Sequence, residues 1–286
     1  MRVCTPQILV CCPNPEAKVT ARMERVQLFE FEDLPWFPQV VRECMTDFLS
    51  FLGQRGRGVY AGFAERLGAA VRATGDDTLL DLCSGGGGPA LTIAGLLRDQ
   101  YATPMRVLLT DLYPNLPRLE RARAEGRGKV EFRDCPVDAT AVPASLPGFR
   151  LLCNAFHHLP PNAARKCLAD AVTQGRGIAL VEMVDRSATS LFGVTFGTSA
   201  VLAVTPFIRP VRASRLFLTY VVPVVPLCTW WDGVVSCLRA YSPEELTRLV
   251  ASLPDNDYVW DIGRLPVPSA PTSLVYLIGR PPTTAA

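Results

Sequence analysis

Basic and acidic side chains nearly cancel, 29 against 27 for a formal net charge of +2, and no run of Lys and Arg is long enough to follow a phosphate backbone. A nucleic-acid partner is therefore not expected. Histidine is scarcer still: the chain has only two, His157 and His158, side by side. No Cys-x-x-Cys pair with partner histidines occurs, so a structural zinc site lacks its ligand spacing and no metal is expected. Neither long apolar run is a clean, uninterrupted span of the ~20 residues that a transmembrane helix needs. Charged residues make up 20% and hydrophobic residues 49%, so the compositional bias of a disordered chain is missing too, and a packed core follows.

What is present is enough for one main domain with attached caps in 286 residues. The ten cysteines are scattered through strand-like and helical segments rather than set in a loop-rich framework, which suits reduced thiols in a cytoplasmic protein. Residues 1–20 read as a loose leader, because Pro13 and Pro15 end the apolar patch from Ile8 to Cys12 too early for a signal peptide. Residues 21–74 read as a helical cap: a Pro-Trp-Phe-Pro corner, then helix-period apolar residues Val40, Val41, Cys44, Phe48 and Leu52, then a second helix over 60–72. From Gly75 the rhythm changes to strand and helix in alternation, with strands over 78–82, 105–110, 130–133, 149–154 and 177–184, which specifies an α/β fold with a doubly wound, mostly parallel sheet over 75–286. The apolar stretch 190–238, broken by arginines and prolines, reads as a helical insertion over the mouth of the site, or as a hairpin in peripheral contact with a membrane. Ser242-Pro243-Glu244-Glu245 is a helix start with a capping box, and strands over 258–262 and 273–278 close the chain.

The strongest chemical signal is TLLDLCSGGGGPALTIAGLL, residues 78–97, which sets an apolar strand, an acid, four glycines and a helix in succession. Glycines allow a sharp turn and a close approach of ligand to backbone, and the helix that follows aims free amides at that ligand. Asp111 ends the strand VLLTD about thirty positions on, where a ribose-binding acid belongs in such folds. The spacing Asp-Leu-Cys-Ser-Gly-Gly-Gly resembles the first motif of class I S-adenosylmethionine-dependent methyltransferases, with Cys83 standing where that family usually has its first glycine. The resemblance runs from about Gly75 through Asp185. It implies a Rossmann-like, seven-stranded sheet and S-adenosyl-L-methionine as cofactor, bound by Asp81, Cys83, Ser84, Gly85, Gly86 and Gly87, by Asp111 at the ribose, by Leu112, Asp138 and Ala139 around the adenine and by Asn154 near the methionine portion. The stretches LFEFEDLPWFP and WDGVVSCLRAYSPEEL are also similar to a bacterial subgroup of methyltransferase-like proteins, which supplies no substrate.

Methyl transfer from a sulfonium is an in-line displacement, so the protein must hold the acceptor in line and exclude water. A base is needed only if the acceptor must lose a proton. His157 and His158 follow the fourth strand of the alternation, on the edge where such folds bind ligands, and either can take that proton. The plainer reading is that the His-His-Leu-Pro turn caps a helix or braces a loop. Glu182, Trp36, Phe37 and Trp231 are candidates for the acceptor side, and the aromatic and apolar character of the cap and insertion favours a small, apolar or lipid-like acceptor. Two other readings stand beside this one: a methyltransferase-like protein that binds cofactor or partner without transfer, and a nicotinamide-dependent oxidoreductase, whose third fingerprint glycine has no match because Gly95 lies too far along.

Overall fold

The computed structural model describes residues 7–10, 23–55, 57–126, 128–254, 257–267 and 272–282. The Cys11–Cys12 pair and the Pro13 and Pro15 breaks lie outside the described residues. One sheet carries the fold: β1 (Gln7–Val10), β2 (Thr78–Asp81), β3 (Arg106–Leu109), β4 (Val130–Phe132), β5 (Phe149–Cys153), β6 (Ile178–Glu182), β7 (Val259–Pro266) and β8 (Ser273–Arg280). Their order is β1-β7-β8-β6-β5-β2-β3-β4, and only β8 runs against its neighbours. The sheet therefore has eight strands among the described residues, not the expected seven. The extra one lies in the expected leader, where Gln7–Val10 pairs in parallel with Val259–Ile262 at the sheet edge.

Helices cover both faces, which is why the strands read as continuous apolar runs rather than alternating ones. The side chains still alternate between two cores. Leu79, Leu151, Ala179 and Val181 pack on α2 (Ala61–Thr74) and α3 (Gly88–Tyr101), through Phe63, Leu67, Ile93 and Leu97. Leu80, Leu152, Ile178 and Leu180 pack on α5 (Pro161–Thr173) and on a helix further along the chain, Pro243–Ala251, through Leu168, Leu246 and Val250. α4 (Leu116–Glu125) joins β3 to β4.

The cap expected over 21–74 divides between two environments. α2 belongs to the sheet core, whereas α1 (Gln39–Arg55) joins the insertion. The insertion is helical: α6 (Ala188–Gly197), α7 (Ala200–Val204), α8 (Ala213–Tyr220) and α9 (Val224–Arg239), followed by α10, the Pro243–Ala251 helix. Phe37, Val41, Cys44, Met45 and Phe48 pack on Val201, Ile208, Val225 and Cys228, so cap and insertion make one helical layer with its own core. Buried Arg215 seals it: its Nη1 donates to Asp47 at 2.6 Å, and Asp47 also accepts from Arg118 of α4 at 2.9 Å. Ala188–Phe207, made of α6, a turn at Thr198 and Ser199, α7 and a final 3-10 turn, is 20 residues long and apolar enough by length and composition to cross a membrane, though the turn interrupts it. Its inner side packs through Val201, while Phe192, Phe196, Leu202 and Phe207 are exposed.

From β2 the chain steps outward to β3 and β4, then returns to pair β5 on the other edge of β2. The carboxyl ends of β2, β3 and β5 diverge at that switch point, where open α/β sheets bind ligands.

Candidate functional site

The turn between β2 and α3 lies at this switch point. Cys83, Gly85 and Gly87 all take positive φ, at 59°, 55° and 73°. Gly87 has no alternative, since a Cβ there would stand 2.8 Å from Leu109 Cδ1. At Gly85 the same atom would meet nothing within 4 Å, so the turn has open space on its outer side. Cys83 keeps the left-handed backbone although it carries a side chain, which accounts for a departure from the glycine pattern without a change of path. Ser84 Oγ donates to the Asp81 carbonyl at 2.9 Å and accepts from the Thr110 amide at 3.0 Å, tying the turn to the end of β3.

Asp111 closes the turn from the other side. Its Oδ2 accepts the Gly85 N–H and its Oδ1 the Tyr113 N–H, each at 2.9 Å. Each carboxylate oxygen retains a second lone pair for a ligand hydroxyl. Asp81 is buried behind the turn, and burial, with the Asp111 charge adding to it, pushes its carboxyl up to about 7. Asp138 folds on itself, accepting the Thr140 N–H and hydroxyl at 2.8 Å, beside buried Ala139, while Leu112 is exposed. Asn154 has φ 52° and is locked by two bonds: its Oδ1 accepts the Met183 N–H at 2.8 Å and its Nδ2 donates to the Tyr60 hydroxyl at 3.0 Å.

One strand over, the His-His turn after β5 is enclosed by the N-terminal segment and α9. Glu182, at the end of β6, accepts both from the His157 backbone N–H at 3.2 Å and, through its other oxygen, at the His157 ring Nδ1 at 2.7 Å. His158 Nδ1 is likewise held by Asp33 Oδ1 at 2.8 Å. The two rings lie 4.3 Å apart between centroids. Their Nε2 atoms face Glu30, 3.8 Å away for His157 and 3.5 Å for His158. His157 is 3% exposed, and its Nε2 has no hydrogen-bond partner. Arg239 binds Asp33 at 2.7 Å, Glu30 at 3.3 Å and the His158 carbonyl at 2.8 Å. Arg25 donates to the carbonyls of Arg239 and His157 and stacks on Tyr241.

Burial raises Glu30 to about 7, against the pull of His158 and Arg239. Burial would raise Asp33 as well, but its bonds to His158 and Arg239 outweigh it and hold the carboxyl down at about 2. Asp232 accepts the N–H groups of Phe31 and Glu32 at 2.7 and 3.1 Å, and burial lifts it to about 6. Phe29, Phe31, Phe37 and Trp231 stack beside this cluster at centroid distances of 5.4 to 6.5 Å.

The structure thus brings together Asp81, Cys83, Ser84, Gly85, Gly86, Gly87 and Asp111 in one turn, and His157, His158 and Glu182 in a second group. Phe37 lies in the core between cap and insertion, Trp36 is 70% exposed, and Trp231 braces the entry segment by donating its Nε1–H to the Phe29 carbonyl at 3.0 Å. Arg239, Arg25 and Tyr60 carry no site expectation in the sequence, whereas Asp33 belongs to the acidic-aromatic stretch of Glu30, Glu32, Asp33, Trp36 and Phe37, which reads there as able to close over a cofactor or to meet a cationic acceptor. Arg239 left a trace there, as one of two charges, with Asp232, in an otherwise apolar helix.

No protein-family model and no curated protein matches the sequence. Solved structures do match, at low identity. The plantazolicin methyltransferase BpumL, solved with SAH, is similar at a TM-score of 0.54 and 11% identity, over 88% of this chain and 94% of its own. The O-methyltransferase NcsB1 from neocarzinostatin biosynthesis is similar at 0.46 and 14% identity, over 84% of this chain and 58% of its own. The chain spans 45% to 58% of the length of three such structures. The match to BpumL shows the fold, and this chain has the class I methyltransferase fold.

Proposed function

We propose that the chain is an S-adenosylmethionine-dependent methyltransferase that acts on a small, largely apolar acceptor bearing a protic group. One observation carries this reading: the glycine turn with Asp111 and the group of His157 and Glu182 stand at the carboxyl ends of strands in one sheet, around one switch point. The shared fold with a methyltransferase solved with SAH supports it.

The residues present fit S-adenosylmethionine. Open space beside Gly85 admits a ligand against the backbone, Asp111 has lone pairs for a ribose diol, and the first turn of α3 offers amides to a carboxylate. By the resemblance, Leu112, Asp138 and Ala139 would line an adenine, and Asn154, locked through Tyr60 and Met183, would lie toward the methionine portion. When bound, S-adenosylmethionine supplies an electrophilic methyl group. His157 activates the acceptor: with its Nδ1 hydrogen committed to Glu182, Nε2 carries the ring's available lone pair. The aromatic wall of Phe29, Phe31 and Trp231 gives the acceptor an apolar seat and keeps water from the reacting atoms.

The direct test is release of S-adenosylhomocysteine from S-adenosylmethionine over a panel of small hydroxylated aromatic and aliphatic compounds. Turnover with an apolar member, reduced at least ~100-fold in His157→Ala with cofactor binding unchanged, is the expected result. Cofactor binding with no turnover across the panel would favour the binding-only reading instead.

A further inference from the structure

We propose that Glu30, His157 and His158 form a binding site for one divalent first-row transition ion, such as zinc. This departs from the sequence expectation of no metal. The donor atoms of the three residues lie within 4.8 Å of one another, with Nε2 of His157 facing Oε1 of Glu30 at 3.8 Å and Nε2 of His158 facing its Oε2 at 3.5 Å. Two ligands on a tetrahedral zinc ion, each bonded at roughly 2.0–2.1 Å, stand about 3.3 Å apart, so movements of under an ångström close the distances to Glu30.

Three further features point to an ion rather than to a hydrogen-bonded cluster. The His157 Nε2 is buried without a partner, a costly state for a polar atom that a metal bond would relieve. Both imidazoles are oriented through Nδ1 by a carboxylate, His157 by Glu182 and His158 by Asp33, the outer-shell arrangement that fixes metal-ligating histidines. Finally, four carboxylates converge here, Glu30, Asp33, Glu182 and Asp232, and the guanidinium groups that reach the cluster are Arg239 and Arg25.

Two imidazoles and one carboxylate suit a borderline ion such as zinc, and leave a coordination position open for an oxygen ligand. An acceptor hydroxyl bound there would be made more acidic by the ion, which in the loaded protein takes the place of the His157 Nε2 lone pair as the activating group, a role that rests on the methyl-transfer reading. Binding of the ion does not rest on it.

The test is titration of the purified, chelator-treated full chain with zinc by calorimetry, and with cobalt by visible absorption. The proposal expects one equivalent to bind, with a cobalt spectrum of nitrogen and oxygen ligation. Affinity should fall at least 100-fold in His158→Ala and Glu30→Gln, and 10–100-fold in Glu182→Gln, with circular dichroism unchanged. Asp111→Ala should bind the ion like the wild type, so loss of cofactor binding and loss of metal binding are read separately. Uptake of no ion by the wild type, or uptake unchanged in both ligand variants, as cysteine binding would give, overturns the site. If Glu30→Gln unfolds, His158→Ala and Glu182→Gln carry the same decision.

Discussion

Asp111 holds the glycine turn with both carboxylate oxygens, accepting Gly85 and Tyr113 amides, and turns its remaining lone pairs outward. Asp111→Ala is therefore expected to weaken S-adenosylmethionine binding by about 10–100-fold, the size of one or two hydrogen bonds to a charged group, as read by calorimetry. Behind it, Asp81 has a folded-state carboxyl raised to about 7 by burial. A raised carboxyl binds its proton more tightly in the folded state than in the unfolded one, so its contribution to stability falls as pH climbs from about 4 to about 7. Asp81→Asn removes that penalty: thermal melts should show the variant gaining stability on the wild type at pH 8 and little or nothing at pH 4. A wild-type advantage that grows with pH would contradict this. Gly87→Ala forces a Cβ to within 2.8 Å of Leu109 at a φ of 73°, and a loss of about 1–3 kcal/mol is expected in denaturant melts.

Among elements, α1 joins α4 and α8 through the Asp47 carboxylate, beside the pairing of Glu43 with Arg212 at 2.9 Å. Asp47 accepts from Arg215 of α8 and from Arg118 of α4, and Arg215 is 1% exposed. Asp47→Ala leaves a buried guanidinium without its counter-charge, which costs about 3–5 kcal/mol; urea unfolding is the measurement. The core strands were legible in the sequence because buried parallel strands are uninterrupted apolar runs flanked by turn residues, and TLLD, VLLT and IALVE are of that kind. The helix start at Ser242 was legible too, since its capping box is wholly local and the structure shows both of its bonds. The short strand Gln7–Val10 was not, because what makes it a strand is its partner Val259–Ile262, some 250 residues away. The same physics hid half of the polar cluster. Glu30 and Asp33 stand out in sequence only as part of an acidic-aromatic stretch, and the packing of α9 and the entry segment on the His-His turn is what brings them to Arg239 and the histidines.

For the whole molecule, α1 of the cap and the insertion behave as one layer laid across the carboxyl edge of the sheet, although all of residues 56–187 separate them in sequence. Phe48, Met45 and Val41 from one share a core with Val201, Val225 and Cys228 from the other. On the proposed reading the sheet supplies the cofactor edge, and this layer, with Glu30, Asp33, Arg239 and the aromatic wall, supplies the selectivity for the acceptor. The sequence displayed the first part plainly through the glycine turn and Asp111, because those motifs are contiguous. Whether this edge binds S-adenosylmethionine is read by calorimetric titration of the purified chain with S-adenosylmethionine and, in parallel, NADH. Saturable binding of S-adenosylmethionine alone, weakened in Asp111→Ala, is expected. A folded sample that binds NADH, or that binds neither, would contradict it.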